Sequence, residues 1–155
     1  MAVTADTLKA PFPYFGGKSR IAAAVWERFG TVQNYVEPFF GSGAVLLGCP
    51  WPGHTETVND ADGLLANFWR ATAADGAAVA HYADWPVNEA DLFARHLWLV
   101  NEGLESLRQG LEADPEWFDA RIAGWWVWGL NSWIGRDWCS GAGPWKRPHL
   151  GDSGR

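Results

Sequence analysis

Cysteine is scarce in this chain of 155 residues: only Cys49 and Cys139 occur, far apart and without metal-ligand spacing. A disulfide scaffold and a structural zinc site are therefore excluded, and a reducing, cytoplasmic setting fits. No apolar run approaches the roughly 18 residues needed to cross a bilayer. Met1 to Lys9 lacks a basic region followed by an apolar stretch, so neither a membrane anchor nor a signal peptide is expected. Basic residues are also in deficit, with 12 Lys/Arg against 18 Asp/Glu and a net charge of −6. That balance excludes a simple nucleic-acid-coating protein. The deficit is uneven: residues 1–120 carry 7 Lys/Arg against 16 Asp/Glu, whereas residues 121–155 carry 5 against 2. Any contact with a polyanion is expected near the C-terminus.

What is plentiful is apolar and aromatic. The hydrophobic fraction of 48% can bury a sizeable core at the length of one domain. Of 12 tryptophans, seven fall between Trp117 and Trp145. Packing in a core is the plain reading; stacking platforms for bases are the sharper one. Pro11, Pro13, Gly16 and Gly17 make an irregular leading segment. A helix is predicted over Ser19 to Phe29, with Ile21, Val25 and Phe29 on one face. Tyr35–Phe40 reads as a buried strand, Ala44–Leu47 as a helix kept short by Pro50 and Pro52, and Thr55–Asn59 as a second strand. Asp62 to about Thr72 is predicted helical, burying Leu64, Leu65 and Phe68. Asn88 can cap a long helix to about Leu111, with Leu92, Leu99, Val100, Leu104, Leu107 and Leu111 inward. Asp114-Pro115 opens another, Glu116 to about Leu130, carrying Phe118, Ile122, Trp125 and Trp126; beyond Gly135 the chain reads as loop.

The unit that carries chemistry is strand, Glu37-Pro38-Phe39-Phe40-Gly41-Ser42-Gly43, helix, strand, Asp60. Glycines at 41 and 43 allow a sharp turn and leave room for a ligand against the main chain. A helix start just beyond presents free N–H groups. Asp60 lies 19 residues past Gly41, where a carboxylate suits the two hydroxyls of a ribose. A nucleoside-containing cofactor on an α/β sheet follows. A pyrophosphate fingerprint would need a third glycine where Leu46 stands, which disfavours a dinucleotide. Gly17-Lys18-Ser19 imitates the end of a phosphate-binding loop, but Phe12 replaces the required glycine, and Pro11 and Pro13 oppose a strand leading in.

Pro13-Tyr14-Phe15-Gly16-Gly17-Lys18, then Tyr35-Val36-Glu37-Pro38-Phe39-Phe40-Gly41-Ser42-Gly43-Ala44-Val45, then Asn59-Asp60 together resemble the DNA adenine methylase family. The resemblance covers residues 11–62 well. It implies a Rossmann-like methyltransferase fold, S-adenosylmethionine as cofactor and double-stranded DNA as substrate, in DNA methylation or restriction–modification. By that resemblance Tyr14, Phe15, Gly17 and Lys18 close over the cofactor. Glu37, Pro38, Phe39, Gly41 and Gly43 approach its methionine and sugar, and Asp60 takes the ribose hydroxyls. Residues 63–155 then correspond to a helix-rich target-recognition region. Trp125 to Gly135 is similar to the family's aromatic helix ending in an Asn-x-x-x-Gly turn. Asn131, Arg136, Lys146 and Arg147 are the candidates for DNA contact, with His149 beside them; an incidentally charged, solvated loop is the other reading.

The family's catalytic Asp-Pro-Pro-Tyr motif does not occur in these residues. Its task is to localise the lone pair of the adenine amino group and to hold the flipped base by stacking. Asp114-Pro115-Glu116-Trp117 is the nearest imitation, and reads as a helix cap. Only two strands are expected, too few to cover a parallel sheet. The expectation is an incomplete α/β methyltransferase: residues 1–62 bind the cofactor, and residues 63–155 form a helical, Trp-rich region. The catalytic motif would then come from further chain or from a second chain. The alternative is a non-catalytic half that binds cofactor or DNA for a partner.

Overall fold

The computed structural model describes residues 8–51, 53–134 and 138–139. Its first part is a βαβ unit preceded by a helix: α1 (Ala22–Phe29), β1 (Asn34–Glu37), α2 (Ala44–Leu47) and β2 (Thr55–Val58). The two strands run parallel, in register from Asn34 opposite Thr55 to Glu37 opposite Val58. Among the described residues they pair only with each other. Trp26 is the centre of this part: its indole packs tilted on Tyr35, with centroids 4.9 Å apart, and donates to the Val45 carbonyl at 2.6 Å. Ala22 and Val45 complete the small core.

Two expectations for this part need correction. The helix begins at Ala22 rather than Ser19, and its buried side carries Ala22 and Trp26. Val25 packs against that core only partly, while Ile21 and Phe29 are 52% and 54% exposed. One residue of helix turns the face by about 100°, and the small surface offered by Tyr35 and Val45 accommodates the indole rather than the aliphatic stripe. β1, for its part, is covered on one face only: Tyr35 and Glu37 point inward, Asn34 and Val36 outward.

The second part is helical. α3 (Gly63–Ala83) starts on Asp62, whose carboxylate accepts from the Leu64 and Leu65 N–H groups at 3.0 and 3.4 Å. It runs past the expected end at Thr72, because Asp75, non-helical at φ −151° and ψ 75°, accepts from the Ala78 N–H at 2.9 Å and restarts it. Asn88 caps α4 (Glu89–Trp98), which continues through a π-helical stretch, Leu99–Gly103, into α5 (Leu104–Ala113). Leu99 and Leu107 are buried, with Val100, Leu104 and Leu111 packed beside them.

α6 (Ala120–Ser132) starts four residues later than Asp114-Pro115 suggests. Asp114 accepts from the Glu116 N–H at 2.8 Å and closes a turn, not a helix. Asp119 caps instead, at 2.8 Å from the Ile122 N–H, and is fixed there by Asn67 of α3. The Asn67 side chain, 0% exposed, donates to the Asp119 carbonyl at 2.9 Å and accepts from its N–H at 2.7 Å. A doubly bonded buried amide therefore sets where α6 begins. Gly124 lets α6 approach α3 closely, since a Cβ there would strike Tyr82 and the Val79 carbonyl. Leu65, Ala71, Ile122 and Ala123 are fully enclosed between the two helices; burying a side chain of leucine size contributes about 1.5–3 kcal/mol.

The tryptophans mostly pack. Trp26, Trp126 and Trp128 are buried. The rings of Trp85, Trp125 and Trp128 lie 5.1, 5.3 and 4.3 Å from the Arg95 guanidinium, and Arg121 sits 4.2 Å from Trp98. Such cation–π pairs occupy ring faces that an open stacking platform would need. Trp145 lies outside the described residues.

Candidate functional site

The leading segment, the turn after β1 and the residue beyond β2 meet in one place. Phe12 is buried in the helical core, edge-on to Phe68 and Trp126 at centroid distances of 5.1 and 5.3 Å. That anchor sets Tyr14 over the turn: a Cβ on Gly41 would come within 3.1 Å of the Tyr14 ring. The segment then reverses through a turn closed by the Gly17 N–H on the Tyr14 carbonyl at 2.8 Å. No strand leads into Gly17-Lys18-Ser19, so the geometry of a phosphate-binding loop is missing.

Between these elements lies a small cavity of about 110 Å³. Its lining includes Tyr14, Phe15, Gly16, Gly17 and Lys18 on one side, and Phe39, Phe40, Gly41, Ser42, Ala44 and Asp60 on the other. Of the ten residues expected around a cofactor, Tyr14, Phe15, Gly17, Lys18, Phe39, Gly41 and Asp60 line it; Glu37, Pro38 and Gly43 do not. Phe15 and Phe39 are 94% and 80% exposed, leaving two apolar ring faces uncovered at the rim.

Asp60, Lys18, Glu37 and Tyr14 are tied to specific neighbours. Asp60 accepts from the Gly41 N–H at 2.9 Å through one carboxylate oxygen and from the Asp62 N–H at 3.2 Å through the other. A carboxylate offers about four acceptor positions, so two remain for a vicinal diol. Lys18 donates to the Phe39 carbonyl at 2.5 Å and pairs with Glu37 at 3.2 Å. Glu37 is buried and accepts from the Tyr35 hydroxyl at 2.7 Å. Burial and that bond push the Tyr35 hydroxyl well above the usual phenol range. Tyr14 is raised likewise, by burial first and then by the charges of Asp62 and Asp60. Both phenols are thus held as donors.

Gly41 and Gly43 have φ of 58° and 68°, in the left-handed region that favours glycine. The crowding at Gly43 is internal: a Cβ there would lie 3.0 Å from Phe40 and 3.1 Å from Trp69. Gly41 forms part of the cavity wall, with the Tyr14 ring against the position a Cβ would take, whereas Gly43 lies behind that wall. α2 spans only four residues.

Two residues of this region were not singled out from sequence. Asp62 accepts from the Tyr14 hydroxyl at 3.2 Å, and Trp69 donates from its indole to the Gly41 carbonyl at 3.0 Å. The Asn-Asp-x-Asp run before a helix was a visible cap signal for the first; Trp69 had none beyond its place on α3.

Of the residues expected to contact DNA, Asn131 is exposed near the end of α6 and donates to the Val127 carbonyl at 2.8 Å. It borders a second, wider groove of about 630 Å³ that shares Ala44 with the first cavity. Arg136, Lys146 and Arg147 lie outside the described residues, as does His149. No metal-binding cluster of His, Cys, Asp or Glu occurs among the described residues, and no described helix is long and apolar enough to cross a membrane.

No curated protein and no solved structure matches this chain. Residues 14–105, more than half of it, match the sequence profile described as D12 class N6 adenine-specific DNA methyltransferase. That match spans the leading turn, the Gly-x-Gly turn and Asp60 in the order in which they build the cavity; the chain belongs to the D12 class of N6 adenine-specific DNA methyltransferases.

Proposed function

We propose that the cavity between the leading segment and the Gly-x-Gly turn binds S-adenosylmethionine, and that the chain supplies the cofactor-binding part of a Rossmann-like DNA adenine-N6 methyltransferase. The observation that carries this reading is Asp60, which braces the left-handed Gly41 and keeps acceptor positions spare at the cavity wall. Those positions suit the ribose hydroxyls, while the open rings of Phe15 and Phe39 suit a planar base. The third ammonium proton of Lys18 suits a carboxylate. When bound, S-adenosylmethionine supplies a methyl group on a positively charged sulfur. The chain's own residues orient it: Tyr14 and Phe39 flank it, and Glu37 with Lys18 fixes the backbone of the turn.

Within this reading residues 1–62 serve the cofactor and residues 63–155 face double-stranded DNA in the cytoplasm, through Asn131 and the basic residues Arg136, Lys146 and Arg147. The Asp-Pro-Pro-Tyr motif that would act on the adenine amino group is not among these residues. That favours a second reading: this chain binds cofactor or DNA for a partner segment or chain that brings the motif. Asp114 is no substitute, because it closes the turn before α6.

Calorimetry with S-adenosylhomocysteine, and with ATP as the comparison, tests the cofactor assignment. S-adenosylhomocysteine is expected to bind and ATP not to; the reverse would return the site to Gly17-Lys18-Ser19. Radiolabelled S-adenosylmethionine with a mixed-sequence duplex tests activity, and the chain alone is expected to transfer no label.

A further inference from the structure

We infer that α3 fixes the shape of the cofactor cavity through two positioning residues, Trp69 and Asp62, neither of which lines it; this rests on the S-adenosylmethionine reading of that cavity. The left-handed Gly41 has a peptide on each side, and each is held by a different side chain. Asp60 takes the N–H at 2.9 Å, and the Trp69 indole donates to the carbonyl at 3.0 Å. The same indole fills the space behind Gly43, where a Cβ would come within 3.1 Å of it, and packs on Phe40 at a centroid distance of 5.0 Å. Trp69 thus fixes the turn both by a directional bond and by excluding movement backward.

The opposite wall is held from Asp62, the N-cap of the same helix. One Asp62 oxygen caps α3; the other accepts the Tyr14 hydroxyl at 3.2 Å. Because Tyr14 lies on Gly41, the two walls touch, and their separation is set by the cap of one helix and a residue seven positions further along it. That helix cannot yield: Leu64, Leu65, Phe68 and Ala71 are buried against the core that includes α6. The ligand-facing residues are therefore placed from behind by a packed element.

Trp69→Phe tests this, since it keeps a ring behind Gly43 and removes the N–H. S-adenosylhomocysteine binding to the full chain is expected to weaken roughly five- to tenfold, the effect of one neutral hydrogen bond. Amide exchange at Gly41–Ala44 is expected to accelerate about as much, while amides of α1 and α6 keep their rates. A merely structural role would speed exchange throughout. In the unsubstituted chain, the indole N–H resonance missing from Trp69→Phe should shift when S-adenosylhomocysteine is added. Unchanged affinity together with unchanged exchange at the turn overturns the inference while leaving the cofactor reading intact. If the unsubstituted chain binds no S-adenosylhomocysteine, the cofactor reading falls and exchange alone decides: local acceleration sustains the clamp on the turn, and its absence overturns it.

Discussion

Replacing Asp60 with alanine separates the two tasks this carboxylate is given. In the structure it accepts two backbone N–H groups, from Gly41 at 2.9 Å and from Asp62 at 3.2 Å, at a half-buried position. A hydrogen bond to a charged group contributes about 1.5–3 kcal/mol, but water can reach donors this close to the surface and recover part of it. The expected loss of stability is about 2–4 kcal/mol, which at this chain length lowers the unfolding midpoint by roughly 5–15 °C. The chain should remain folded, since domains hold about 5–15 kcal/mol in reserve. Asp60→Asn should fall between the two, because its amide oxygen can serve one N–H while its NH2 group opposes the other. Thermal unfolding gives the first readout. Titration with S-adenosylhomocysteine, at a temperature where both proteins are folded, gives the second, and affinity should drop by at least about tenfold for each ribose bond lost. Unchanged stability would refute the brace; lowered stability with unchanged affinity would refute the ribose assignment and leave Asp60 a residue of the turn only.

Gly43→Ala should destabilise by about 2–5 kcal/mol, from the left-handed backbone cost together with overpacking against Phe40 and Trp69; urea denaturation measures it, and a neutral result would mean that the turn can rearrange. His96 gives a pH dependence. It is buried against Trp133 and Trp138, and burial lowers its pKa below the ordinary value. Above about pH 6.5 folded and unfolded forms are both neutral there; below it the unfolded chain gains a proton that the folded one resists. Stability should therefore fall between pH 7 and 5, and His96→Phe should flatten that part of the profile. An identical profile in the variant would remove His96 as its source.

How much was legible in the sequence depended on whether a signal was local. The Gly-x-Gly turn, the short α2 held between glycines and prolines and the Asn88 cap act within a few residues and stand where expected; Asp60, 19 residues past Gly41, stands just beyond β2 because a single βαβ unit carries it there. The failures are positions where a distant partner decides. Asp114-Pro115-Glu116 is a complete helix-start signal, yet Asn67, fifty-two residues before Asp119, pins the start further on. Ile21, Val25 and Phe29 form a regular stripe, but the surface facing α1 has room for the Trp26 ring. Trp69 could not be distinguished from the other tryptophans, because its part depends on where the Gly41 carbonyl points. The same holds for Gly43: its need for glycine was visible, but the neighbours that enforce it were not.

The burial of Phe12 bears on how a ligand reaches the cavity. A wall that swings away as one piece would have to pull this ring from its contacts with Phe68 and Trp126 and also break the Tyr14–Asp62 bond. Gly16, by contrast, has φ of 72° and nothing near the position of a Cβ. If the wall opens for a ligand, the expected place is therefore the short stretch around Phe15, a residue 94% exposed, and not the anchored segment behind it. That stretch is tethered on one side by the Tyr14–Asp62 bond and on the other by the hold of Lys18 on Phe39 and Glu37.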